Sequence, residues 1–175
     1  RYQLREGDNS AWLWEHQALT RARFCAGDTR IGQKFEEIRS EVLAQSRDEQ
    51  LLKQEILSMR QKVSDGHPND SGMFDIKHDS GGMVDIEFIV QYLVLRFSAE
   101  HPKLLGNWGN IALLGYAAEE KLISEELSKS VANAYRLYRE YQHRIRLDGA
   151  DKTRIHPDLM DSSLQDARMA VTTLW

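Results

Sequence analysis

Met83-Val84-Asp85-Ile86-Glu87-Phe88-Ile89-Val90-Gln91-Tyr92-Leu93-Val94-Leu95-Arg96-Phe97 decides the fold class. Ile86, Phe88, Ile89, Val90, Tyr92, Leu93, Val94 and Phe97 lie nearly all round a helix predicted over about 84–100. A helix that is apolar on every side sits at the centre of its fold and needs others around it. The flanking sequence supplies them.

Upstream, Asn9 or Ser10 is placed to cap a helix reaching about Ala26, with Gly27 as its stop. Asp28 is placed to cap the next, where Ile31, Phe35, Ile38 and Val42 recur on one face. A third helix starts near Asp48, carries Leu52, Ile56, Met59 and Val63, and ends at Asp65-Gly66. Downstream, a short helix is expected over about 110–120. Ser124 then caps a long one, with Glu125 and Glu126 favourable at its positive end. Leu127, Val131, Ala134, Tyr138, Tyr141 and Ile145 form its packing seam, and Asp148-Gly149 ends it. Ser162 with Gln165 resembles a capping box for a last helix. The expected fold is an all-α helical bundle, a single helical domain over residues 1–175. It has one short extended or loop excursion around residues 65–83, in which Phe74 and Ile76 alternate with Asp75 and Lys77.

With 175 residues the chain can bury a core without staples. A net charge of −4 and a pI near 5.9 offer no general attraction to nucleic acid or to an anionic membrane, so any anion site is local. The one cysteine, Cys25, precludes an internal disulfide and reads as a buried small residue. No apolar run reaches the roughly 18 residues of a membrane span. These features fit a cytoplasmic protein with neither nucleic-acid nor membrane partners. The chain opens on Arg1-Tyr2 and ends at Trp175 inside a helical pattern, so both ends are expected to be cut from a larger protein.

The chemistry-bearing segment precedes the central helix: Phe74-Asp75-Ile76-Lys77, then Gly81-Gly82-Met83-Val84-Asp85-Ile86-Glu87-Phe88. Gly81 and Gly82 permit close backbone approach and positive φ. A helix start offers unpaired N–H groups and a positive dipole end, and Lys77 adds a cation; together these are the parts of a phosphate site. Asp85 and Glu87 can cap the helix, bind Mg²⁺ or order a neighbouring arginine. An ordinary turn followed by dipole-compensating acids gives the same pattern. A second cluster, Trp12-Leu13-Trp14-Glu15-His16-Gln17-Ala18-Leu19-Thr20-Arg21-Ala22-Arg23, sets two arginines on a tryptophan-bearing helix. It reads either as a phosphate clamp or as core tryptophans with surface arginines. No H-E-x-x-H, G-x-S-x-G or G-x4-G-K-[ST] motif occurs.

Both segments resemble glutamine synthetase adenylyltransferases. Trp14-Glu15-His16-Gln17 resembles the helix that follows their catalytic sheet. Lys77 … Gly81-Gly82-Met83-Val84-Asp85-Ile86-Glu87-Phe88 with Gln91-Tyr92-Leu93 resembles their signature, and related patterns occur in PII uridylyltransferases. The likeness covers essentially the whole chain. It implies a bundle like the second domain of nucleotidyltransferases, within an enzyme of two similar halves. One half transfers AMP from ATP to a tyrosine of glutamine synthetase, and the other removes it by phosphorolysis. Asp85-Ile86-Glu87-Phe88 points to the C-terminal, adenylylating half. The same resemblance implies ATP and Mg²⁺ as cofactors of the parent enzyme, glutamine synthetase as partner and PII protein as regulator. It makes Lys77, Gly81, Gly82, Arg21 and Arg23 candidates for contact with ATP phosphates, and Asp85, Glu87 and Glu15 supporting or metal-shell candidates. The family's Gly-Ser … Asp-x-Asp motif is absent from this sequence. No catalytic residue is therefore expected in this chain, and it is expected to be inactive alone. Two alternatives stand beside this reading: a partner-docking or regulatory bundle, and the helical part of a PII uridylyltransferase.

Overall fold

The computed structural model describes residues 10–175. In chain order it contains α1 (Leu13–Leu19), α2 (Thr29–Leu43), α3 (Glu49–Asp65), β1 (Phe74–Asp75), α4 (Met83–Phe97), α5 (Asn110–Glu119), α6 (Glu125–Leu147), β2 (Arg154–Ile155) and α7 (Ser162–Leu174). The architecture is all-α, as the periodicity predicts: seven helices with one two-stranded sheet among the described residues. In that sheet Phe74 pairs with Ile155 and Asp75 with Arg154, antiparallel. No described helix is long and apolar enough to cross a membrane.

The chain forms two compact units. The first comprises residues up to Met59 together with Gln91–Gly109, and the second comprises Arg60–Val90 and Asn110–Trp175. In the first unit Leu13, Val42, Leu43, Leu52, Ile56, Leu93, Val94 and Leu104 are buried. In the second, Ile76, Ile86, Val90, Leu114, Val131, Tyr138, Leu164 and Val171 form the interior, with α6 packed against α5 and α7.

The first helix is shorter than expected. Asn9 lies outside the described residues, and α1 covers only Leu13–Leu19. Arg39, itself buried, draws the chain away from helix: its guanidinium donates to Leu19 O at 2.9 Å, Thr20 O at 3.2 Å and Leu105 O at 2.8 Å. The carbonyls of Leu19 and Thr20 are ones that a continuing helix would have used. The inward side of α1 is largely polar: beside Leu13, the buried residues are His16, Gln17 and the capping Thr20, while Trp12 and Trp14 are 68% and 50% exposed. The interior polar groups are partnered. Gln17 Nε2 donates to Gln91 Oε1 at 2.9 Å, and His16 Nδ1 lies 3.2 Å from Arg47 Nη2. Satisfied hydrogen bonds let these side chains replace tryptophan inside. The expectation of core tryptophans on this helix is therefore corrected, and so is that of a buried Cys25, which is exposed.

The stripe of α2 is also displaced. Gly32, Arg39, Val42 and Leu43 are buried, whereas Ile31 and Ile38 are exposed. Gly32 leaves room for the Phe24 ring, which lies 2.7 Å from where a Cβ would stand. In α3, Leu52 and Ile56 are buried as predicted.

Helix caps follow the sequence closely at Asp28, which accepts from Arg30 N at 2.8 Å, and at Ser124, which accepts from Leu127 N at 3.2 Å. At α7 the cap falls one residue earlier than Ser162. Asp161 Oδ1 accepts from Leu164 N at 2.9 Å, and Gln165 reaches back to Met160 O. We expect Asp161→Ala to lower stability by about 1 kcal/mol and Ser162→Ala to leave it nearly unchanged, as measured by urea unfolding.

Candidate functional site

The turn before α4 is built around one carboxylate. Asp85 stands in the first turn of a helix whose surrounding residues Met83, Val84, Ile86 and Phe88 are all buried. Its side chain is only 4% exposed. A carboxylate there requires a full set of donors. Arg60 Nε donates to Oδ1, and Gly81 N donates to Oδ2 at 2.6 Å. Arg60 also donates through Nη2 to His78 O at 2.8 Å. Of the roles open to Asp85, ordering a neighbouring arginine is the one its geometry shows.

Gly81 and Gly82 are buried, and the protein itself occupies the space beside them. Gly81 has φ +82°, and an added Cβ would stand 2.9 Å from Arg168 O. At Gly82 it would stand 2.6 Å from Ile76 O and 2.8 Å from Asp79 O. The N–H groups at the start of α4 are likewise engaged. Gly82 N donates to Asp79 O at 2.9 Å, Met83 N to Ile76 O at 2.8 Å and Val84 N to Lys77 O at 3.0 Å. Two further elements hold the turn: Tyr138 OH of α6 donates to Gly81 O at 2.9 Å, and Arg168 Nε of α7 donates to Ser80 O at 2.9 Å. Burial pushes the Tyr138 phenol well above its ordinary value, so it remains a proton donor.

Lys77 is exposed at the rim of this turn, on a fixed backbone. Its N–H donates to Asp75 Oδ1 at 3.0 Å, and its carbonyl accepts from Val84 N. Asp75 is buried rather than outward-facing, because it also accepts from His78 N at 3.1 Å and faces Arg154. Asp79 Oδ2 accepts from Asp75 N and from Asn69 Nδ2, both at 2.8 Å. His78 stacks on His67 with ring centroids 3.9 Å apart. Burial lowers the His78 pKa; Asp75 opposes this, while His67 and Lys77 reinforce it.

Of the sequence candidates, Lys77, Gly81, Gly82 and Asp85 fall in one place, and half-buried Glu87 follows on α4. Glu15, Arg21 and Arg23 belong to the first unit. There Glu15 Oε2 accepts from Trp12 N at 2.8 Å, and both arginines are exposed. Arg60, Asp75, Asp79, Tyr138 and Arg168 were not among the candidates. Arg60 carried a signal: it lies four residues after Ile56 on the apolar stripe of α3, and Asp85 is the lone acid on the buried face of α4. Opposite charges at two core positions imply each other.

As an Mg²⁺ site these residues fit poorly. Both oxygens of Asp85 are engaged, one by a guanidinium and the other by a backbone N–H.

The profile of the GlnD PII-uridylyltransferase family matches residues 45–166. The chain belongs to this family. The match takes in the whole Gly81-Gly82 turn with Lys77, Asp85 and Tyr138. Among curated relatives, the bifunctional glutamine synthetase adenylyltransferase/adenylyl-removing enzyme of Burkholderia mallei is 56% identical over 177 residues, covering 100% of this chain. The enzymes of the same name from Bordetella bronchiseptica and Nitrosomonas eutropha are 53% and 49% identical, each over 94% of the chain. The chain spans 17–19% of the length of these relatives.

Asp85→Ala strands a buried Arg60 and is expected to cost about 3–5 kcal/mol in urea unfolding. The depressed His78 pKa means that the unfolded chain binds more protons just below the ordinary histidine value of about 6.5. Stability is therefore lost as pH falls through that value, and His78→Gln is expected to flatten unfolding profiles between about pH 7 and pH 5.

Proposed function

We propose that this chain is the helical part of the adenylylating half of a glutamine synthetase adenylyltransferase, and that Lys77 contacts ATP phosphates there. The parent enzyme transfers AMP from ATP to a tyrosine hydroxyl of glutamine synthetase, with pyrophosphate leaving. Its other half removes the AMP by phosphorolysis, and PII protein regulates it. The high identity of full-chain relatives bearing that enzyme name supports this assignment over the uridylyltransferase reading. Glutamine synthetase is then the protein substrate, and the cytoplasm is the compartment.

The observation that carries the site assignment is the exposed Lys77 ammonium on a backbone locked at both its N–H and its carbonyl. A lysine is a point charge that meets polyphosphate oxygens without demanding bidentate geometry. Gly81 and Gly82 serve by internal packing, not by approach to ATP. Any Mg²⁺ in the parent enzyme would supply charge neutralisation at the phosphates, and Asp85, committed to Arg60 and the Gly81 N–H, is not placed to hold it. The chain contains no Asp-x-Asp pair to perform the transfer, so it is inactive alone.

Lys77→Ala in the full-length enzyme is expected to lower kcat/KM for adenylylation at least about tenfold, or about 1.4 kcal/mol. Circular dichroism should remain unchanged, because the exposed amine is outside the turn's hydrogen-bond network. A wild-type rate would sink the phosphate contact.

A further inference from the structure

Tyr138 stands in the middle of α6, fully buried, with its ring edge-to-face against Phe74 at a centroid distance of 6.0 Å. Phenylalanine would fill that core position at no polar cost, so the hydroxyl has to be accounted for by what it touches. It donates to Gly81 O at 2.9 Å. The other side of Gly81 is bound as well: its N–H donates to Asp85, and Asp85 holds Arg60. Arg60 then donates to His78 O, one residue from Lys77. The N–H groups of both Lys77 and His78 converge on Asp75 Oδ1. An unbroken series of buried or half-buried contacts thus runs from the centre of α6 to the Lys77 backbone. Arg168 braces the same turn from α7 through Ser80 O, with its guanidinium 4.7 Å from the centre of the Phe74 ring.

We propose that Tyr138, seconded by Arg168, is a positioning residue for Lys77: from α6 it fixes the Gly81 peptide and, through Asp85 and Arg60, the place from which Lys77 meets a nucleoside triphosphate. This rests on the phosphate contact proposed above. Its physical basis is that a flexible side chain binds phosphate best when its backbone is already fixed. Loosening the turn spreads the lysine over positions of which few are productive. A purely structural tyrosine would lower the population of folded protein and act on activity independently of Lys77.

The test is a double-mutant cycle in the full-length enzyme, with ATP and glutamine synthetase as substrates. Tyr138→Phe keeps the ring and removes the hydroxyl; Arg168→Gln is the second variant, independent of the α6 core. In the Lys77 background each is expected to lower kcat/KM by about threefold or more, chiefly through a raised KM for ATP. In the Lys77→Ala background each should have no further effect. Equal losses in the two backgrounds, or no loss from either variant beside Lys77, would overturn the positioning role while leaving the phosphate contact standing. A Lys77→Ala enzyme with wild-type kinetics would overturn both, and that outcome is separately visible in the same cycle.

Discussion

The carboxylate of Asp85 organises the second unit. It stands in the first turn of a helix that is apolar all round, where an ionised group without donors would be strongly unfavourable. Arg60 and the Gly81 N–H meet that demand, and each choice has consequences. Arg60 must come from α3 at a core position, so the end of α3 is tied to the start of α4. Gly81 must bend back at positive φ, so the turn is tight enough for Arg168 to lie against it and for Tyr138 to reach its carbonyl. Arg60 and Gly81 thus answer a single buried charge, and Tyr138 and Arg168 hold the turn that results.

Much of the fold was legible because the strongest signals are periodic. The all-apolar run of α4, the seam of α6 with Val131, Ala134 and Tyr138 buried, and the caps at Asp28 and Ser124 all appear as read. The failures share a cause. In α1, and around Arg39 in α2, polar side chains occupy the interior because partners from other elements satisfy them, and a pattern of apolar positions cannot register such partners. Arg39 ends α1 by binding its last carbonyls from twenty residues away. β2 escaped notice for the same reason: two residues, Arg154 and Ile155, become a strand only by pairing with Phe74 and Asp75. At α7 the cap is Asp161, one residue before the Ser162 that the spacing to Gln165 marks.

The candidate site was legible as a location but not as a mechanism. Lys77, Gly81, Gly82 and Asp85 gather at one turn, yet the glycines make room for protein rather than ligand. The discriminating information lay in which groups fill the space beside Gly81 and Gly82. That space is taken by Arg168 on α7 and by the carbonyls of Ile76 and Asp79, none marked by spacing from the glycines.

A glycine-rich turn that binds phosphate through its backbone must present several N–H groups outward at a helix start. Here those of Gly81, Gly82, Met83 and Val84 are given respectively to Asp85, Asp79, Ile76 and Lys77. What the turn can offer an anion is therefore a side-chain cation on a rigid mount, not a backbone cradle. A compact, strongly hydrated ammonium discriminates little between phosphates by shape. In the site proposed above, specificity for nucleotide and acceptor would then arise from groups other than this turn. Its own contribution is to set where a single positive charge stands, and the hydrogen-bonded run from Tyr138 to Lys77 is suited to that task.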